Sequence, residues 1–195
     1  MNDHNYYQNN IDLKSEPKIF KTKVDGIEFQ IKTDNGVFAK TGVDYATEIL
    51  LKTAEISQNS SILDVGCGYG IIGLFMAKKY DCQVEMIDVN ERALALAKDN
   101  LELNNLSGNV HYSDCFSEVS GQYDFIISNP PIRAGKKVIY KIYEDAKPHL
   151  KEGGSFIIVI QKKHGAESTI KKLEEIYEHV EIVYKKKGFF VIKSY

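Results

Sequence analysis

From residue 60 onward, short apolar segments alternate with longer segments of helical periodicity. The apolar segments are SSILDV, VEMIDV, NVHYS, YDFIIS and SFIIVI, and the helical ones are IIGLFMAKK, ERALALAKDNLELNN, KKVIYKIYEDAKPHLKEGG and AESTIKKLEEIYE. A helix between two strands carries the chain back to the end where the first strand began, so the strands run parallel. The alternation therefore predicts a parallel sheet with helices on both faces, whose ligands bind beyond the carboxyl ends of the strands.

The two ends of the chain alternate between apolar and polar residues around glycine turns. KIFKTKVDGIEFQIKTDNG predicts a β-hairpin near the N-terminus, and VEIVYKKKGFFVIKSY predicts a second one that adds an antiparallel strand at the edge of the sheet. Between the first hairpin and the alternating region, Asp44 is placed to cap a helix. We therefore expect an α/β fold with a doubly wound, mostly parallel seven-stranded sheet in one domain. Residues 1–42 would form an N-terminal addition and residues 43–195 the core.

The composition argues against several classes of protein. A net charge of −2 and a pI near 6.2 create no global attraction to nucleic acid or membrane. Cys67, Cys82 and Cys115 show no metal-ligand spacing, which indicates a reduced, cytoplasmic protein with neither a disulfide framework nor a metal site. The first residues are polar, and the longest apolar run is far shorter than a bilayer requires, so we expect neither a signal peptide nor a membrane anchor.

A glycine-rich turn, LDVGCGYGIIG, follows the first apolar strand and opens a helix. Gly66, Gly68 and Gly70 suit a tight turn that a ligand approaches closely. Asp88 ends the next strand, 20 residues after Gly68, where a ribose-binding carboxylate belongs in dinucleotide-binding proteins. The turn fits a nicotinamide or flavin dinucleotide, S-adenosylmethionine, or a junction that binds nothing. Asp64, just before the glycines, has the wrong charge for a pyrophosphate and a suitable one for a ligand that carries an ammonium group.

Polar residues also follow the third and fourth strands. Asp114 lies just beyond NVHYS, where a carboxylate can reach an adenine amino group or serve as an ordinary turn residue. YDFIIS ends in Asn129-Pro130-Pro131, which either merely terminates the strand or has a chemical role. The Asn129 side-chain oxygen and the Pro130 carbonyl would form two neighbouring acceptors, suited to holding a planar amino group with its lone pair toward a methyl donor.

These motifs together resemble a known enzyme family. LDVGCGYG, MIDVNERAL, FSEVSGQYDFIISNPPI and KKGFFVIKSY are similar to the small-domain class I S-adenosylmethionine-dependent methyltransferases. Within that family, the chain resembles the bacterial guanine-N2 methyltransferases of small-subunit ribosomal RNA, and GVFAKTGVD resembles their short Gram-positive members. The resemblance implies S-adenosyl-L-methionine as the cofactor, ribosomal RNA or the small ribosomal subunit as the substrate, and a monomeric cytoplasmic enzyme without a metal.

The resemblance also implies roles for individual residues. The methionine end of the cofactor would contact Asp64, Gly66, Gly68 and Gly70, the ribose Asp88, and the adenine Asp114 and Cys115, with Phe38 and Lys40 lying over the cofactor. Asn129, Pro130 and Pro131 would be the catalytic residues, with Asn129 also beside the cofactor. The next position, commonly an aromatic residue that can stack on a base, is Ile132 here. Ile132, Arg133, Lys136 and Lys137 would bind the substrate.

Other functions stay open at this point. A glutamine-N5 methyltransferase of release factors uses a similar Asn-Pro-Pro sequence, although the short N-terminal region and the FSEV segment argue against it. A cofactor-binding module without activity would keep the same sheet and glycine turn. An NAD-dependent oxidoreductase would also fit the glycine spacing.

Overall fold

A computed structural model of the protein describes residues 14–39 and 42–195. The strands are β1 (Lys18–Val24), β2 (Ile27–Thr33), β3 (Ser61–Val65), β4 (Gln83–Asp88), β5 (Asn109–Tyr112), β6 (Tyr123–Ser128), β7 (Leu150–Gln161), β8 (Val180–Lys186) and β9 (Phe189–Ser194). The α-helices are α1 (Tyr45–Thr53), α2 (Ile71–Tyr80), α3 (Glu91–Leu103), α4 (Lys136–Ala146) and α5 (Ala166–Glu174).

The main sheet has seven strands in the order β5-β4-β3-β6-β7-β9-β8. The first five are parallel, and β9 pairs antiparallel with both β7 and β8. The predicted doubly wound, mostly parallel sheet is therefore confirmed. The antiparallel strand lies inside the sheet rather than at its edge, because β9 carries buried apolar residues such as Val191 and Ile192, whereas every residue of β8 keeps some exposure.

Helices cover both faces of the sheet. Successive residues of β3, Ile62 and Leu63, belong to different apolar clusters, as expected where a strand is buried on both sides. The cluster around Ile62 includes residues of α1, α2 and α3, and the cluster around Leu63 includes residues of α4 and α5. In the order β4-β3-β6, three strands lie side by side, and their carboxyl ends meet at one rim of the sheet. This rim carries Asp88, the glycine turn and Asn129.

The fourth helix is shorter than its sequence pattern suggests. The chain leaves α4 at Ala146, passes through a 3-10 turn that contains Pro148, and becomes strand β7 four residues later. Proline lacks the N–H that would continue a helix. Gly153 and Gly154, the last two residues of the segment predicted to be helical, lie within β7. A Cβ on Gly154 would approach the Tyr123 carbonyl oxygen to 2.9 Å, so this strand needs a glycine there.

The predicted N-terminal hairpin, β1–β2, forms a separate two-stranded sheet. Asn100 of α3 and Asn104, which caps the C-terminal end of that helix, bind the edge of β2 through their side-chain amides. Asn100 accepts from the Lys32 N–H (2.6 Å) and donates to its carbonyl (3.0 Å), and Asn104 makes the same pair of bonds with Gln30. These amides satisfy the exposed groups of an edge strand. Asn100 also donates to the Tyr69 carbonyl in the glycine turn (2.9 Å), so the hairpin is attached directly to that turn.

Asp124 ties the start of β3 to β6 and is expected to make stability depend on pH. Its carboxylate accepts from the backbone and side chain of Ser61 (2.7 Å each) and pairs with Lys151 (2.9 Å). Burial opposes ionisation, but these partners outweigh it and lower the pKa of Asp124 to about 2. The ionised group therefore stabilises the fold above about pH 4, and this contribution is lost as the pH falls toward 2.

Asp124→Ala is expected to lower the melting temperature at pH 7, and the difference from wild type should shrink as the pH falls from 4 to 2. Thermal unfolding followed by circular dichroism measures both proteins, with the exposed Glu55→Ala as control. A difference that stays constant over this pH range would contradict the assignment.

Candidate active site

The candidate site begins with the glycine turn between β3 and α2. The backbone N–H groups of Gly66 and Cys67 both donate to the Ile87 carbonyl (2.9 and 3.0 Å), which fastens the turn to the end of β4. The Gly68 N–H donates to the Asp88 side chain (2.9 Å). Gly66, Gly68 and Gly70 have φ values of +72°, +55° and +92°, a region that favours glycine.

Open space faces this turn. Among the described residues, a Cβ on Gly68 would meet no atom within 4 Å, and one on Gly66 would meet only the Pro131 Cδ, at 3.9 Å. The backbone of the turn is thus accessible to a ligand on the side that faces the Asn-Pro-Pro segment. Gly73 has a different role. A Cβ at this position would lie 2.4 Å from the Met86 sulfur, so a residue without a side chain lets α2 pack closely on β4.

Asp64, in β3, is fully buried. One carboxyl oxygen accepts from the Gly73 N–H (3.1 Å), and the other has no hydrogen-bond partner within the described ranges. Burial raises the pKa of Asp64 to about 8, assisted by the negative charge of Asp88 and opposed by the Gly73 hydrogen bond. A buried oxygen without a partner is costly, and a bound ammonium group would supply the missing donor.

Asp88 ends β4 beside the turn. One of its oxygens accepts from the Gly68 N–H and the other from the Asn90 N–H, both at 2.9 Å. Burial nevertheless raises its pKa. Each carboxylate oxygen can accept a further hydrogen bond, so Asp88 could also hold the two hydroxyls of a ribose.

Asp114 and Cys115 follow β5 at the same rim, because the Ser113 N–H donates to the Asp88 carbonyl (3.2 Å). The Asp114 side chain is exposed. Cys115 is buried, and burial raises the pKa of its thiol to about 11, which keeps it neutral. Phe38 is half exposed, and Lys40 lies outside the described residues.

The end of β6 brings Asn129 to the glycine turn. Ser128 donates to the Val65 carbonyl (2.7 Å), which joins the ends of β6 and β3. The Asn129 amide nitrogen donates to the Thr47 hydroxyl (2.9 Å) and lies 3.4 and 3.5 Å from the two Asp44 oxygens. Pro130 is buried and Pro131 half buried.

The predicted substrate residues follow directly. Ile132 begins a 3-10 turn and packs against the apolar cluster on the α4 side, while Arg133, Lys136 and Lys137 are exposed.

The sequence indicated Asp44 only as a helix cap and gave no indication of Thr47. It also missed Tyr69, whose buried hydroxyl donates to the Gly42 carbonyl (3.2 Å). The start of α1 and the residues just before it thus contact both the glycine turn and Asn129.

Across residues 14–39 and 42–195, no cluster of three or more His, Cys, Asp or Glu side chains could hold a metal ion. Within the same ranges, none of the helices combines the length and apolar character needed to span a membrane.

Comparison with known proteins identifies the family. A family model described as the methyltransferase small domain matches residues 28–193. The uncharacterized protein YbxB of Bacillus subtilis is 44% identical over the whole chain, which covers 98% of its length. Ribosomal RNA small subunit methyltransferase C of Colwellia psychrerythraea is 32% identical over 91% of this chain, and that of Haemophilus influenzae 40% identical over 64%. The chain spans only 50% and 39% of these two enzymes.

A solved structure supports the same fold. The 16S ribosomal RNA N2 methyltransferase of T. thermophilus, determined with AdoMet and guanosine, superposes with a TM-score of 0.85 at 24% identity, over 93% of this chain and 51% of that one. The glycine turn, the unpartnered Asp64 oxygen and the Asp88 carboxylate fit a cofactor that carries an ammonium group and a ribose but no phosphate. The chain therefore belongs to the methyltransferase small domain family, and its cofactor is S-adenosyl-L-methionine.

Proposed function

We propose that this protein methylates the exocyclic N2 of a guanine in small-subunit ribosomal RNA. The observation that carries the proposal is the position of the Asn-Pro-Pro segment directly opposite the open glycine turn, with Pro131 at 3.9 Å from where a Gly66 Cβ would lie. The named relatives and the T. thermophilus enzyme, which act on small-subunit ribosomal RNA, support the choice of substrate.

The residues around the glycine turn would hold the cofactor. Gly66 and Gly68 leave room for its methionine end, Gly70 would complete the turn around it, and the free oxygen of Asp64 would accept from the ammonium group. Asp88 would bind the ribose hydroxyls, Asp114 and Cys115 would contact the adenine, and Phe38 and Lys40 would lie over the cofactor. When bound, S-adenosylmethionine supplies a methyl group on a positively charged sulfur, which is already a good leaving group.

The Asn129 side-chain oxygen and the Pro130 carbonyl would accept the two N–H groups of the target amine. Both acceptors extend from the end of β6, so they would fix the plane of the amine and direct its lone pair toward the methyl group. Positioning of this kind accelerates a reaction without acid or base catalysis. The amine releases its proton after transfer, and the mechanism requires no histidine.

Lysines on three segments, two of which adjoin each other, would contact the RNA backbone. Lys162, at the end of β7, donates its N–H to the Gly188 carbonyl (2.7 Å) and so adjoins the β8–β9 turn. In that turn, the Lys187 ammonium lies 5.8 Å from the ring centroid of Tyr45, an exposed residue next to Asp44. We name Lys136, Lys137, Lys162, Lys163 and Lys187 the lysine rim. The Tyr45 ring would offer a base the aromatic stacking surface that the aliphatic side chain of Ile132 does not provide.

Lys162→Ala/Lys187→Ala is expected to weaken substrate binding in a salt-dependent way. Each lost phosphate contact lowers the slope of log affinity against log salt by about 0.7 for single-stranded RNA, or about 1.4 for both. Filter binding to small subunits between 50 and 300 mM salt measures the slope. Lys98→Ala/Lys171→Ala, which removes the same charge from exposed positions of α3 and α5, should leave the slope unchanged. Equal slopes for the two double variants would exclude the lysine rim.

Methyl transfer to three acceptors tests the proposed function. Purified protein and tritiated S-adenosylmethionine are incubated with small subunits from a strain that lacks the gene, with naked 16S ribosomal RNA, and with release factor. We expect label in the RNA of the subunits. Label in release factor would indicate a glutamine methyltransferase, and binding of the cofactor without transfer to any acceptor would indicate a module without activity.

A further inference from the structure

The Asn129 amide is hydrogen-bonded to the first turn of α1. Its nitrogen donates to the Thr47 hydroxyl at 2.9 Å, and that hydroxyl makes a close hydrogen bond with Asp44 Oδ2. The same nitrogen makes longer hydrogen bonds to the two Asp44 oxygens (3.4 and 3.5 Å). The other Asp44 oxygen accepts from the backbone N–H groups of Ala46 (3.0 Å) and Thr47 (3.2 Å), which caps the helix. Thr47 is buried, with 3% of its surface exposed. The three side chains therefore form a chain of hydrogen bonds that is shielded from water at its centre.

This chain has only one possible direction. An ionised carboxylate accepts hydrogen bonds and cannot donate them, so the Thr47 hydroxyl must donate its single hydrogen to Asp44. The hydroxyl can then only accept from Asn129, which places the amide nitrogen on the Thr47 side. The amide oxygen must point away from Thr47. The two ends of an amide have nearly the same shape, and only such a network distinguishes them.

We propose that Asp44 and Thr47 are positioning residues that orient the Asn129 amide for methyl transfer. With its oxygen turned away from α1, Asn129 accepts from a target amine. With the amide reversed, the same site would present N–H donors and repel that amine. The pair thus selects a substrate that donates hydrogen bonds, which an exocyclic amino group does and a carbonyl does not. This inference rests on the proposed function, because it assigns Asn129 to the target amine.

Replacing Asp44 with asparagine tests the direction of the chain. Asparagine is a good helix cap and nearly isosteric with aspartate, so the fold is retained. Its oxygen would accept from the Ala46 and Thr47 N–H groups, and its nitrogen would donate to the Thr47 hydroxyl. Thr47 would then donate to Asn129 and reverse the amide. We expect Asp44→Asn to lower the rate of transfer at saturating cofactor and substrate by roughly 10- to 100-fold, approaching the loss in Asn129→Ala.

Variants at Thr47 separate positioning from packing. Thr47→Val keeps the shape but removes the hydroxyl, which leaves the amide nitrogen only its longer hydrogen bonds to the two Asp44 oxygens (3.4 and 3.5 Å), and we expect a loss of a few-fold. Thr47→Ser restores the hydroxyl and should restore most of the rate. The expected order of rates is Thr47→Ser above Thr47→Val above Asp44→Asn. A purely structural role predicts another order, because Asp44→Asn is the change that best preserves the helix cap.

Nuclear magnetic resonance supplies a readout that does not depend on the substrate. The side-chain ¹⁵N–¹H signals of Asn129 are assigned by their absence from Asn129→Ala. They should shift and exchange faster with water in Asp44→Asn and in Thr47→Val, whereas Thr47→Ser keeps the wild-type signals. Affinity for S-adenosylhomocysteine, measured by calorimetry, should stay within about twofold of wild type.

The experiments distinguish failure of this inference from failure of the proposed function. Asp44→Asn activity within twofold of wild type, or Asn129 signals that do not change in Asp44→Asn and Thr47→Val, would overturn the inference. If wild-type protein transfers no methyl group to ribosomal RNA while the amide signals respond as described, the proposed function fails and the orientation of Asn129 by Asp44 and Thr47 stands.

Discussion

Asn129→Ala is expected to reduce the rate of methyl transfer by about 10²- to 10³-fold, the size of effect seen when one preorganised hydrogen-bonding group is removed from an active site. The variant loses the side-chain acceptor for the target amine and leaves only the Pro130 carbonyl. Asn129 faces the glycine turn from β6, whereas the predicted cofactor contacts come mainly from β3, β4 and β5. Affinity for the cofactor should therefore largely survive.

Single-turnover transfer of tritiated methyl groups to small subunits measures this rate, and calorimetry with S-adenosylhomocysteine measures cofactor binding. Asn109→Ala, at an exposed position of β5, is the matched control. Transfer by Asn129→Ala at the wild-type rate would show that the amide has no role in the reaction. A parallel loss of cofactor affinity would place Asn129 in the cofactor site instead.

Asp64→Asn is expected to weaken cofactor binding by at least 10-fold at pH 8 and to remove its dependence on pH. In the free protein, burial raises the pKa of Asp64 to about 8, so the group is mostly neutral at pH 7. An ammonium group binds best to the ionised form, and binding should therefore release a proton. Wild-type affinity should rise with pH, by up to about tenfold per unit below pH 8, and level off above it.

In the asparagine variant the amide oxygen accepts from the Gly73 N–H, so the amide nitrogen, a donor, faces the ammonium group. Calorimetry with S-adenosylhomocysteine at pH 6, 7 and 8, in buffers of different ionisation enthalpy, counts the released protons. 5′-Methylthioadenosine, which lacks the ammonium group, should bind wild type without proton release. Affinity for S-adenosylhomocysteine that is independent of pH in wild type would contradict the role of Asp64.

Asp64 is also expected to make the stability of the fold depend on pH. The pKa of Asp64 in the folded protein lies above that of a free aspartate, so its neutral form stabilises the fold at low pH, and this contribution is lost as the pH rises toward 8. Asp64→Asn should remove the trend. This is the opposite of the trend expected from Asp124, whose pKa is lowered.

Local pattern was sufficient to predict most of the fold. Alternating apolar segments identified the strands of the main sheet, and the glycine turn was placed correctly because three positive φ angles require glycine. The extent of β7 and the interior position of β9 were not predicted. Both depend on which strands pair, and pairing is decided by tertiary contacts. The division at residue 42, the monomeric state and the cytoplasmic location stay predictions.

The candidate site was predictable only where its residues lie next to strand ends. Asp64, Asp88, Asp114 and Asn129 were predicted as site residues because the ends of parallel strands meet at one rim, and their roles stay predictions. Thr47 had no such signal. It contacts a residue 82 positions away, and its sequence context shows only the first turn of a helix. Contacts of this kind follow from how α1 packs against the sheet.

The central claim is that this protein forms N2-methylguanine in small-subunit ribosomal RNA. The most direct measurement is mass spectrometric mapping of 16S ribosomal RNA from a strain that lacks the gene, complemented with wild type or with Asn129→Ala. We predict one N2-methylguanosine that is absent from the deletion strain, restored by wild type and not restored by Asn129→Ala. Identical modification maps in all three strains, or loss of a different modified nucleotide, would contradict the account.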